Sequence, residues 1–270
     1  MADTTRGRPT LLPMLALLLV AGARDSGVQQ PGRAHFQTVR GALSREYGLE
    51  LISKPELPVS VNAGTIEGKA GSEENNDTYA DLLWTEWSLY PPTLMRNVGL
   101  KRIVLAEELA FGGQLRTAVP DFMRGDLYLD TARGRYDDAY VRRVIHHEFF
   151  HMIDTRDDGV LYGDSAWSRL NPKGFQYGSG GKNAQGDSQA GVARDDLPGF
   201  IDTYAMTGVE EDKAEVFAFL MVDPAGFDAR AARDRVLQAK GRAMRALLLA
   251  FCPEMDAAFW RRVALARQAK

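Results

Sequence analysis

His147-Glu148-Phe149-Phe150-His151 constrains this chain more than any other stretch. The 270 residues contain four histidines, and three of them (His146, His147 and His151) lie within one short run. Among regular conformations, an α-helix sets residues four apart on one face, so the imidazoles of His147 and His151 can offer nitrogens to one ion. Glu148 sits about 100° round such a helix from His147, where its carboxylate meets a water on that ion rather than the ion itself. His146 is turned away by a similar angle and is out of reach of the same ion in a regular helix. It reads as a structural or supporting residue.

The flanking sequence supplies the helix. Asp137 or Asp138 can cap its N-terminus, where negative charge is favoured. Val141, Ile145, Phe149 and Met152 then form an apolar stripe that should face a core. His147 and His151 border that stripe, with Glu148 between stripe and histidines. A chance match would bury two histidines and a glutamate without partners, which is costly.

A tetrahedral catalytic site takes three protein ligands and leaves one position for water. Two segments offer the third. Asp157 follows His151 by six residues, as in His-Glu-x-x-His-x-x-Gly-x-x-His/Asp, but Asp154 stands where the turn-making glycine belongs. The other candidate is Tyr204 to Phe217. There Thr207 and Glu210 have the spacing of a capping box, and a helical pattern runs on until Asp223-Pro224. Glu211 and Glu215 share a face of that helix, so one can bind the ion while the other orients a ligand histidine. Glu210 reads as a solvated acid near a positive helix end.

His147-Glu148-x-x-His151 followed by Glu211-x-x-x-Glu215 resembles the gluzincin zinc metallopeptidases. The pattern Tyr204-x-x-Thr207-x-x-x-Glu211-Asp212-x-Ala214-Glu215-x-Phe217 is similar to a family of exported zinc-binding metallo-peptidases and to the catalytic domain of anthrax lethal factor. The resemblance implies an α+β, zincin-like fold with a small mixed sheet, an active-site helix and a second ligand-bearing helix. It implies Zn²⁺ held by His147, His151 and Glu211, Glu148 as general base, Tyr204 as donor to an oxyanion, and Glu215 in support. Many gluzincins have Asp where Glu215 stands, and Lys213 occupies a place often apolar in the closer family. The likeness runs from about residue 127 to 220. A non-catalytic zinc-stabilised binding domain keeps the ligands but needs neither Glu148 nor Tyr204. A degenerate adhesion module is a third class.

The rest of the chain sets the surroundings. Arg6 and Arg8, the apolar run Leu11 to Val20 and Ala21-Gly22-Ala23 form a signal-peptide pattern over residues 1–23, with cleavage after Ala23. The run falls short of the roughly 20 residues that span a bilayer. The expected product is secreted or periplasmic, with no stable membrane span. Residues 24–77 read as an N-terminal extension and 78–270 as the catalytic domain, with Gly71 to Asp77 as a loop. Arg102 to Leu105 reads as a strand, and Gly125 to Asp130 as an alternating edge strand with one buried face, lining the cleft. The glycine-rich stretch 171–200 lacks phosphate-loop spacing, and Trp167, Phe175 and Tyr177 offer it an anchor. A net charge of −3 gives no electrostatic reason for nucleic acid as partner, and the resemblance implies a peptide or protein substrate. Cys252, the only cysteine, reads as a packed thiol and excludes an internal disulfide.

Overall fold

The computed structural model describes residues 36–61, 64–133, 137–180, 191–194 and 196–268. The signal-peptide pattern and its cleavage site lie outside them. Among the described residues no helix is long and apolar enough to cross a membrane.

The longest strand, β4 (Arg102–Phe111), organises the sheet. Its first half pairs in parallel with β1 (Glu50–Ile52) and with β7 (Asp126–Asp130). Its second half pairs antiparallel with β3 (Gly64–Lys69) and β5 (Gln114–Leu115). The change of partners coincides with Glu108 at φ 55°, a left-handed conformation that costs a non-glycine residue energy, and with a register shift between Glu67 and Lys69. β2 (Val59–Val61) adds to β3, and β6 (Ala118–Asp121) adds antiparallel to β7. The result is a mixed seven-stranded sheet along the path β2-β3-β4-β7-β6. Strands from residues 50–69 thus share one sheet with those that follow.

β7 differs from its expected form in two ways. It lies between β4 and β6, so β6 is the edge strand. All five of its residues are buried, not alternate ones. Leu127 and Leu129 join the main core, while Tyr128 packs with Ile66, Val104, Leu109 and Val119 on the opposite face. The two acids on that face are bonded rather than solvated. Arg102 Nε donates to Asp126 at 2.8 Å, and Asp130 accepts from the Leu109, Ala132 and Arg133 amides. Gly125 makes the turn into β7 at φ 74°, and a Cβ there would collide with the Gly99 carbonyl.

The helices pack on the sheet and on one another. α1 (Phe36–Tyr47) packs against β1 and α2 (Glu73–Trp87). The loop expected at 71–77 ends at Ser72, whose Oγ accepts from Asn75 and caps α2. α3 (Pro92–Val98) starts at the second proline, as a missing N–H permits. α4 (Asp138–Asp157) carries the histidine run and packs along α6 (Val209–Val222). The short α5 (Ser165–Ser168) lies between them in sequence. α7 (Pro224–Ala231), α8 (Arg235–Phe251) and α9 (Ala257–Gln268) complete the chain. Phe149 and Phe150 of α4 and Phe217 of α6 are fully buried, each contributing about 1.5–3 kcal/mol by burial. Cys252 is buried too, and burial pushes its thiol up to about 11.

Candidate metal centre

α4 begins as its sequence demands, with Asp137 accepting from the Tyr140 amide at 3.0 Å. Val141, Ile145, Phe149 and Met152 are all buried. Because that stripe is fixed in the core, His147 and His151 are fixed on the flank facing α6, and both are buried. α6 starts differently from the expected capping box. Gly208 is the N-cap without a side-chain bond, and the Thr207 hydroxyl donates to the Tyr204 carbonyl instead. The Thr207 amide donates to the same carbonyl at 3.0 Å and closes a 3-10 turn, Tyr204–Met206, just before α6.

The two helices bring three ligand atoms together. His147 Nε2 lies 3.1 Å from His151 Nε2 and 3.0 Å from Glu211 Oε2, and His151 Nε2 lies 3.4 Å from that same oxygen. Around a small tetrahedral cation with bonds near 2.0–2.1 Å, ligand atoms stand ~3.3 Å apart. The donor set suits a positive centre: two imidazole nitrogens and a carboxylate oxygen converge with water largely excluded, where either a ring proton or a metal ion can sit between them. The three residues therefore fit a metal ion. Asp157 lies outside this cluster.

Further residues support it. His147 Nδ1 is 2.9 Å from Glu215 Oε1, close enough for charge contact but off the angle of a linear hydrogen bond. Glu215 also pairs with Arg143, whose guanidinium lies 2.8 Å from Asp202 Oδ2 and donates to the Gly191 carbonyl at 2.7 Å. Burial works against charge on Glu215, and Arg143 with His147 overrides it, holding the carboxyl at about 2. Burial likewise opposes charge on His147, yet Glu211 and Glu215 outweigh it and raise the ring's pKa well above the usual value. The Tyr204 hydroxyl donates to Glu211 Oε1 at 3.1 Å, and burial followed by Glu211 keeps it protonated.

Glu148 lies in electrostatic reach of His147, His151 and Glu211. It keeps a partial opening to solvent, and burial raises its carboxyl above the usual range against the pull of His147, His151 and Arg116. Arg116, just before β6, lies in electrostatic reach of both Glu148 and Tyr204. Nothing in its local sequence marked it. Arg143 could have been found, since it stands one turn before His147 on the same helix face.

His146 faces the other way into a closed network. Its Nε2 is 2.9 Å from Glu86 Oε2 and its Nδ1 is 2.5 Å from the Tyr90 hydroxyl. Arg142 and Arg267 pair with the same Glu86. Burial, then the two arginines, hold His146 well below its usual pKa, so the ring is neutral.

The chain has a mixed α+β fold in which two apposed helices carry the cluster. The structure of a putative zinc-binding metallo-peptidase from Bacteroides caccae matches it with a TM-score of 0.57, over 86% of this chain and 90% of that one, at 18% identity. At that identity the likeness shows the fold alone. No family model and no curated protein matches the sequence.

Proposed function

We propose that the chain is an exported zinc-dependent metallopeptidase that hydrolyses peptide bonds. The observation that carries this reading is the convergence of His147 Nε2, His151 Nε2 and Glu211 Oε2 within 3.0 to 3.4 Å of one another. Zinc bound there would lower the pKa of a water towards ~7 and polarise the scissile carbonyl. Glu148 takes the proton of the attacking water and passes it to the leaving amine, a role suited to a carboxyl with a raised pKa. The Tyr204 hydroxyl turns from Glu211 to donate to the tetrahedral oxyanion. Glu215, with Arg143 behind it, keeps the His147 ring oriented. The edge strand β6 packs against α4 and offers an extended peptide its free side.

The test has two parts. Metal analysis of the purified protein should find about one zinc per chain, and a peptide library should be cleaved without chelator and spared with it. Glu148→Gln should keep the zinc and lose at least ~10²-fold in kcat/KM. A variant with full zinc and full activity would remove Glu148 from the mechanism. Zinc without cleavage of any library peptide would favour a binding domain.

A further inference from the structure

Four acids crowd the beginning of α6, and three have partners. Glu211 meets His147, His151 and Tyr204. Asp212 is 2.6 Å from Lys240 Nζ and accepts from Trp167 Nε1 and the Tyr177 hydroxyl at 2.8 and 2.6 Å. Glu215 holds Arg143. Glu210 differs. It is only 6% exposed, its carboxylate bonds its own backbone amide, and among the described residues no lysine or arginine pairs with it. Its own amide and the start of α6 compensate part of its charge, and a cation in the adjoining space would add to that.

The surroundings leave room for one. Glu210 lines a cavity of about 920 Å³, walled by Tyr162, Asp164, Ser165, Arg169 and Tyr177 together with the backbone of residues 178–180. Gly180 lies beside Glu210 at φ 87°, and a Cβ there would be in ordinary contact, 3.6 Å from Glu210 Oε1. Residues 178–180 are held to the chain before α6 by Gly178 N to Met206 O at 3.1 Å and Gly180 N to Thr207 O at 2.7 Å. The space suits a side chain or two of a peptide. Two other charges line it. Asp164 is compensated by Lys213 at 3.2 Å, and Arg169 is exposed, with Nη1 donating to Ser165 Oγ at 3.2 Å. Exposed charge is screened by salt and buried charge far less, so Glu210 sets the sign in the cavity. Tyr162 and Tyr177 add ring faces that favour a cation. Glu210 immediately precedes Glu211, so its backbone is ~3.8 Å from that of a metal-cluster residue.

We propose that this cavity is a substrate subsite in which Glu210 receives the cationic group of a peptide, a lysine or arginine side chain or a free N-terminal ammonium. Its place beside the reacting bond rests on the metallopeptidase reading; its capture of a cation does not.

Binding is measured by calorimetry on zinc-loaded Glu148→Gln protein, which holds peptides without cutting them. The probes are N-acetylated peptides with one lysine or with norleucine in its place, and the norleucine peptide with a free N-terminus. The lysine or the free-amine peptide should bind about tenfold tighter than the blocked norleucine peptide, the scale of one charge-assisted hydrogen bond. Whichever of the two it is identifies the source of the cation. Adding Glu210→Gln should collapse that ratio towards one. Ser165→Lys, an exposed change on the cavity wall, should narrow it without touching the buried acid, which covers the case of a poorly folded Glu210 variant. Equal binding of all three peptides, or a preference that survives both changes, overturns the proposal. Cleavage by the Glu148 protein is read separately. Cation-selective binding without cleavage keeps the subsite and removes the peptidase reading, while cleavage with no cation preference does the reverse.

Discussion

His146 and His147 are neighbours in sequence, and α4 sends them into opposite electrostatic situations. On the His146 side every charge has a protein partner: Glu86 faces two arginines and the imidazole, and Tyr90 takes the second ring nitrogen. On the His147 side two imidazoles and a carboxylate meet, and it is the His147 ring itself, its pKa raised by Glu211 and Glu215, that offers the counter-charge. The first group is balanced by fixed protein charges; the second is balanced by a proton on His147, whose place a metal ion could take. What tells them apart is whether arginines supply the counter-charge, since the histidines and acids of both groups are buried.

The largest effect should come from opening the closed side. Glu86→Ala leaves Arg142, Arg267 and neutral His146 without their shared acceptor, and removing one partner of a buried ion pair costs about 3–5 kcal/mol. Urea denaturation of the metal-free protein should show that loss, with zinc stoichiometry in the folded fraction unchanged. Glu211→Ala should give the mirror result, losing zinc while metal-free stability stays within about 1 kcal/mol. If both variants unfold to the same degree, the two sides do not differ as described. The comparison is sharpened from the other direction by adding metal. Zinc at about a thousand times its Kd should stabilise the wild-type protein by about 4 kcal/mol, read as a rise in Tm that a chelator reverses. Glu211→Ala should lose most of that rise.

Much of the metal side was legible in the sequence, because helical spacing is a local property. His147, Glu148 and His151 follow from one helix and its apolar stripe. Glu211 follows from a second helix with acids one turn apart. The structure brings His147, His151 and Glu211 together and leaves Asp157 aside. What the sequence concealed was set by long-range pairing. β7 alternates like an edge strand yet is central, because Asp126 and Asp130 find Arg102 and backbone amides across the sheet. Glu210 carries the mark of a solvated acid yet is buried, with Gly180 of a distant stretch held beside it. Glu86 pairs with Arg267 across 181 residues, a distance no periodicity spans.

An intermediate effect separates chemistry from metal binding within the open side. Tyr204→Phe removes the hydroxyl 3.1 Å from Glu211 Oε1 and leaves all three ligand atoms in place. Hydrolysis should fall by about 10²-fold or more in kcat, as for loss of an oxyanion donor, with zinc affinity nearly unchanged. A drop in zinc affinity that matches the drop in rate would make Tyr204 a support for Glu211 and nothing more.

The smallest effect tests how far the open side depends on its own outer partners. Glu215 touches both a cluster histidine and a protein cation, so it borders both kinds of environment. Glu215→Gln keeps the side chain's size and removes the charge that orients His147. Zinc affinity, measured by competition with a chromophoric chelator, should weaken about 10–100-fold, the usual result of losing such a partner. Arg143 would then lose a neighbour but keep Asp202 at 2.8 Å, so the fold should lose less than in Glu86→Ala. The ratio between those two stability losses measures the difference between a charge the protein balances several times over and one it balances jointly with an ion. Equal losses would mean that Glu215 belongs to the framework of α4 and α6, with the orientation of His147 a by-product of packing.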